Sequence, residues 1–66
     1  MKIFVNGARA ECDPGLTVEE LVRRYGLSAE TTLVEHNGVA LRRREWPQRS
    51  LGENDRLEIL RVAAGG

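Results

Sequence analysis

Apolar and polar residues alternate with period two in several short stretches of the chain and recur at helical spacing in one. From Lys2 to Asn6, Ile3 and Val5 point one way and Lys2 and Phe4 the other, the pattern of a half-buried strand. Asn6-Gly7 is a hairpin dipeptide, because both residues accept positive φ, and it predicts a return strand over Arg9 to Cys12. Asp13-Pro14-Gly15 is turn chemistry. Thr17-Val18-Glu19-Glu20 reads as a capping box, in which the Thr17 hydroxyl accepts from the Glu20 amide and Glu20 reaches back. Val18, Leu21, Val22 and Tyr25 then follow at i, i+3, i+4 and i+7, one apolar stripe of a helix, which places Tyr25 in the core. Arg23 and Arg24 suit the negative end of the helix dipole, and Gly26 stands where a C-cap favours glycine. Thr32 to His36 is a further strand, Asn37-Gly38 a further hairpin turn, and Val39 to Leu41 a short return. Arg42 to Ser50 is polar and reads as irregular, with Trp46-Pro47 inside it. After a turn over Leu51 to Asp55, Arg56 to Val62 is the last strand, with Leu57 and Ile59 inward and Glu58, Leu60 and Val62 on the opposite face.

A hairpin, one helix and then further strands make an α+β domain: a mixed sheet of four to five strands packed on one helix. The last strand lies most simply beside the first, in the middle of the sheet, which is the ubiquitin-like β-grasp arrangement. Residues 1–62 are the expected domain. Residues 63–66 are the expected flexible C-terminal tail, Ala63-Ala64-Gly65-Gly66.

A chain of 66 residues buries only about 60% of the surface it exposes when unfolded, so little interior is left for catalytic machinery. Ten basic and ten acidic residues cancel, which argues against nucleic acid as a partner. One cysteine, Cys12, excludes an internal disulfide and any multi-cysteine zinc site, and it fits a reducing compartment. No apolar stretch approaches the roughly 20 residues of a membrane span. The start, Met1-Lys2-Ile3-Phe4-Val5, turns polar too soon for a signal peptide. These features set the expectation of a cytoplasmic protein with no membrane partner.

The terminal Gly65-Gly66 is the strongest chemical signal. Without Cβ atoms, a diglycine end enters a channel too narrow for larger residues, and it carries a carboxylate at its tip. Together with Met1 to Gly7, the Thr17-Val18 helix start with Leu21, Asn37-Gly38, Arg43-Arg44-Glu45-Trp46 and Ala64-Gly65-Gly66, it makes the chain resemble the ThiS family, the sulfur carriers of thiamine biosynthesis. The resemblance covers essentially the whole length. Two positions depart from it: Arg42, where the family often has proline, and His36, where an apolar residue is common.

The resemblance implies a route for the tail. A ubiquitin-activating-like partner enzyme adenylates the Gly66 carboxylate with ATP, a sulfur donor protein supplies sulfur, and the resulting thiocarboxylate feeds thiazole synthase. Gly66 is ionised at neutral pH and needs no base of its own. This chain has no phosphate loop and no carboxylate cluster suggesting a metal site, so ATP and Mg²⁺ belong to the partner, and the protein is a carrier rather than an enzyme. The alternatives are a carrier of the molybdopterin-synthase small-subunit type, a ubiquitin-like modifier, and a plain interaction domain.

For recognition of the body, Phe4, Leu60 and Val62 are expected to form an apolar patch beside the tail, with Ala64 and Gly65 following. Arg43, in the run Arg42-Arg43-Arg44 joined by Arg49, is a candidate contact for an acidic partner or simply a solvated loop edge. Trp46 is expected to cover one end of the core with its ring N–H near water. Cys12 is expected to be a small buried hydrophobe rather than a persulfide carrier. His36 has no Cys, Asp or second His at metal-ligand spacing and is expected to be a sheet residue with a local hydrogen-bond partner.

Overall fold

A computed structural model of the chain describes residues 1–62. The strands are β1 (Lys2–Val5), β2 (Ala8–Glu11), β3 (Thr32–His36), β4 (Val39–Leu41) and β5 (Arg56–Arg61), and the helix is α1 (Val18–Arg24). They form one mixed sheet in the order β2-β1-β5-β3-β4, with β5 parallel to β1 and antiparallel to β3. The last strand is therefore the central one, as the β-grasp reading requires. Ile3, Val5, Val34, Leu57 and Ile59 supply the buried face of the sheet, and Val18, Leu21 and Val22 of α1 cover it. A fully buried aliphatic side chain contributes about 1.5–3 kcal/mol, against about 1 kcal/mol net for a hydrogen bond. The alternating apolar face therefore decides which side of each strand turns inward.

Both hairpin turns do more than reverse the chain. Asn6 and Asn37 each have φ of 51°, followed by Gly7 at 81° and Gly38 at 85°, the left-handed pair that a two-residue hairpin needs. Each asparagine side chain then reaches β5. Asn6 Nδ2 donates to the Ile59 carbonyl at 3.1 Å, and Asn6 Oδ1 accepts the Ile59 N–H at 2.7 Å. One amide thus stands in for a peptide group and extends the β1 ladder past the turn. On the other edge, Asn37 Oδ1 accepts the Arg56 N–H at 2.8 Å, while the Asn37 backbone N–H donates to the Arg56 carbonyl at 2.8 Å.

Asp55 completes the entry to β5. Its Oδ2 lies 2.7 Å from His36 Nε2 and accepts the Gly52 N–H at 2.7 Å, and its Oδ1 accepts from Asn37 Nδ2 at 3.1 Å. His36 is 9% exposed, so the expected local partner exists and lies on another segment. Burial works against the Asp55 carboxylate. The hydrogen bonds from His36, Gly52 and Asn37 outweigh it and hold the carboxyl below its ordinary range.

The helix starts as its sequence requires. The Thr17 hydroxyl accepts the Glu20 N–H at 3.2 Å, and Glu20 Oε1 accepts the Thr17 N–H at 2.9 Å. It ends in a Schellman motif: the Gly26 N–H bonds the Arg23 carbonyl and the Leu27 N–H bonds the Val22 carbonyl, with Gly26 at φ +69°. Regular helix stops at Arg24, and Tyr25 is the C-cap. The expectation that Tyr25 is core fails for this reason: the cap turns it outward, 47% exposed, and Leu27 packs against the core instead.

Arg43–Gln48 is a 3-10 helix rather than an irregular segment. Proline suits it because its fixed φ matches 3-10 geometry, and Glu45 Oε1 caps the Arg42 N–H at 2.8 Å. Trp46 packs into the core from this helix at 3% exposure, closing one end as expected. Its ring N–H is not near water. Nε1 is buried without a hydrogen-bond partner, a cost of about 1–3 kcal/mol.

Two outcomes test these anchors. Asn6→Gly keeps the left-handed turn but removes the amide that pairs with Ile59, and it should lower unfolding free energy by about 1–2 kcal/mol in urea titration. A depressed carboxyl contributes stability that is fully present above the unfolded value of about 3.9 and is lost as pH falls through the lower folded value. Asp55→Asn should therefore be less stable than the parent at neutral pH. Its urea-unfolding stability should also decline less steeply from about pH 5 downward.

Candidate functional site

The distal end of β5 is the last described part of the chain before the expected tail. It is held on both edges: Asn6 occupies Ile59 on the β1 side, and the Val62 N–H donates to the Thr31 carbonyl at 2.8 Å on the β3 side. The strand ends at Arg61, one residue before the predicted Val62, although the β3 pairing continues through that bond. Residues 63–66, the expected tail that includes Ala64, Gly65 and Gly66, lie outside the described residues.

On the outer face of the sheet, Leu60 stands directly opposite Leu33 of β3. Both are more than half exposed, at 56% and 53%, and Val62 is 44% exposed at the end of the same strand. Leu33 is the member that the sequence reading missed. The alternation of Thr32 to His36 put it on the outer face, but only the β3–β5 register places it against Leu60.

Phe4 does not join this patch. It pairs with Arg56, four positions before Leu60 on β5, and so lies about 13 Å from it at the rise of an extended strand. It lines instead a shallow cavity of about 300 Å³ with Gly7, Arg56 and Glu58, and Lys2 Nζ sits 5.8 Å from its ring centroid. The expected Phe4–Leu60–Val62 patch is corrected to Leu33–Leu60–Val62, because a parallel neighbour is aligned by register and not by facing direction alone. Between the two ends, Glu58 and Glu35 face each other across β5 and β3.

Arg43 is on the other layer. It begins the 3-10 helix that packs on α1, and it lines a cleft of about 220 Å³ with Arg23 and Trp46. It is thus not brought together with Leu60 and Val62.

The remaining candidates have structural accounts. Cys12 is half-buried, and burial pushes its thiol up, which keeps it protonated and a poor nucleophile at neutral pH. Among the described residues, no group of three or more His, Cys, Asp or Glu side chains is placed to hold a metal ion. No helix among them is long and apolar enough to cross a membrane.

The family model described as the ThiS family matches residues 3–66. The chain belongs to the ThiS family. A crystal structure of a thiamine biosynthesis protein (ThiS) from Geobacter metallireducens superimposes on this ThiS-family chain with a TM-score of 0.85 at 32% identity, covering all of both chains. The chain is also 32% identical over 66 residues to a thiazole synthase of Magnetococcus marinus, and 29% identical over 66 residues to one of Paramagnetospirillum magneticum. It spans about one fifth of the length of these two relatives. The whole-length structural match establishes the β-grasp topology expected from the order of elements.

Proposed function

We propose that the protein is the sulfur carrier of thiamine biosynthesis and that it works through its C-terminal Gly66. The observation that carries this reading is the family match, which runs from residue 3 to the diglycine itself. The Gly66 carboxylate attacks the α-phosphorus of ATP in a ubiquitin-activating-like enzyme, pyrophosphate leaves, and an acyl adenylate forms. Hydrosulfide delivered by a donor protein then attacks the acyl carbon, AMP leaves, and the thiocarboxylate remains. The partner supplies Mg²⁺ and excludes water, and this chain supplies the reacting carboxylate and the surface that aligns it. Thiazole synthase is the proposed acceptor. The two relatives of that name support this, because each matches this chain over its full length within a much longer sequence.

Reach makes body recognition unavoidable in this scheme. Four residues span at most about 14 Å when extended. An ATP site that receives Gly66 must therefore come within that distance of Val62, where Leu33 and Leu60 are the exposed apolar side chains. The proposal places the partner's contact there, with Phe4 outside its centre.

Intact-protein mass spectrometry tests the chemistry. After incubation with the adenylating enzyme, ATP and a sulfide source, the chain should gain the mass of one oxygen exchanged for sulfur. Deleting Gly66 should abolish the gain. No gain with an enzyme active on its own carrier would sink the proposal, and covalent ladders with lysine-bearing proteins would instead identify a modifier. In the same assay, Leu60→Ala and Leu33→Ala should each lower kcat/KM for adenylation about tenfold, while Phe4→Ala changes it little and circular dichroism shows all three folded.

A further inference from the structure

The cleft between α1 and the Arg43–Gln48 3-10 helix faces away from the Leu33–Leu60 surface and is left unused by the carrier chemistry. Its floor is apolar: Val22 and Leu27, the pair joined by the Schellman motif, with Ala29 and Trp46. Arg43 stands on one side, and Arg23 with its ion-pair partner Glu19 on the other. At about 220 Å³ it falls below the roughly 300–1,000 Å³ of small-molecule sites, so it fits a protruding side chain better than a free metabolite.

The charge around it is lopsided although the chain is neutral. Six of the ten basic residues, Arg23, Arg24, Arg42, Arg43, Arg44 and Arg49, lie on the end of α1 or on and beside the 3-10 helix. The acids of the same elements are already engaged. Glu20 caps Thr17, Glu45 caps Arg42, and Glu19 pairs with Arg23 at 3.5 Å. Arg24 pairs with Asp13 at 3.6 Å, whereas Arg42, Arg43, Arg44 and Arg49 make no ion pair among the described residues. Two buried donors without acceptors, Trp46 Nε1 and Arg49 Nε, belong to the same segment. This side of the molecule is rich in donors and short of acceptors.

We propose that the α1/3-10 cleft is a second docking surface, for an acidic segment of a partner protein that seats one apolar side chain on Trp46 and sets its carboxylates against Arg43 and the adjoining Arg42 and Arg44. Charge complementarity selects this occupant: the apolar floor accepts the anchor, and the unpaired arginines accept only negative flanks. The site does not depend on the tail, so a partner held here leaves β5 and Gly66 free for an enzyme on the sheet face.

The test uses the full chain and a synthetic peptide with one leucine flanked by glutamates, followed by ¹⁵N NMR. Trp46 is the only tryptophan, so its single indole N–H resonance reports directly on the cleft floor. The indole and the Val22–Leu27 amides should shift saturably, and affinity should fall with added salt. Arg43→Glu should weaken binding about tenfold or more, as expected for loss of one interfacial charge and its reversal. Leu60→Ala should leave binding unchanged, and a peptide with lysine flanks should not bind. Shifts confined to the Leu33–Leu60 face, equal binding by Arg43→Glu, or no shifts at all would overturn the proposal. So would concentration-dependent shifts of the same residues without peptide, which would mark a contact between copies of this chain.

Discussion

A central strand with neighbours of opposite direction has to be fixed in register on both edges at once, and β5 meets that requirement through two asparagine side chains. Its β1 edge runs out of backbone partners where β1 turns away at Asn6, and the Asn6 amide supplies the missing donor and acceptor to Ile59. Its β3 edge begins where β3 turns away at Asn37, where the Asn37 side-chain oxygen accepts the Arg56 N–H and the Asn37 backbone N–H serves the Arg56 carbonyl. Aspartate tolerates the same positive φ but carries no donor, so it could not serve Ile59 on both groups. The constraint matters because a slip of one residue would turn Leu57 and Ile59 outward and bury Glu58 and Leu60. Everything offered on the outer face, including the base of the tail, depends on that register.

The same logic separates what was legible in the sequence from what was not. The Asn-Gly turns, the Thr17–Glu20 capping box and the period-two strands are decided by neighbours in sequence, and they appear where local chemistry puts them. Tyr25 misled because helical periodicity was carried one residue past the point where Gly26 ends the helix. Trp46-Pro47 misled because proline reads as a breaker, yet its φ is at home in a 3-10 turn. Phe4 misled for a different reason. Alternation states which face a residue occupies, but which residues meet on that face is a matter of pairing between strands more than 50 positions apart, as the Asn6–Ile59 bonds show. The partner of His36 was invisible on the same grounds, since Asp55 lies 19 positions away.

His36 shows how an imidazole on the inward face of a strand can be accommodated. A histidine on the inward side of β3 would leave a polar ring in an apolar layer. Asp55 is already required at the entry to β5, where Oδ1 accepts from Asn37 Nδ2 and Oδ2 accepts the Gly52 N–H, and Oδ2 takes His36 Nε2 as well. The ring is therefore paired by a carboxylate that holds the adjacent turn, and the pair binds β3 to the β5 entry.

A carrier that passes one group from protein to protein faces a problem of occupancy more than of catalysis. In the proposed route each partner enzyme acts on Gly66, and a reach of four residues would bring each onto the surface around Val62, so such partners would exclude one another there. A neutral domain with arginines gathered around α1 and the 3-10 helix and apolar side chains at the end of β5 would have, in the proposed cleft, a second means of being held. Contact there would raise the local concentration of Gly66 without covering it, a gain set by geometry rather than by the strength of the tail contact. The weak, salt-screened character of exposed arginines suits that role, because a grip that releases readily does not trap the carrier after transfer. On this view the division of the surface into an apolar end of the sheet and a basic cleft behind it follows from the need to be recognised more than once.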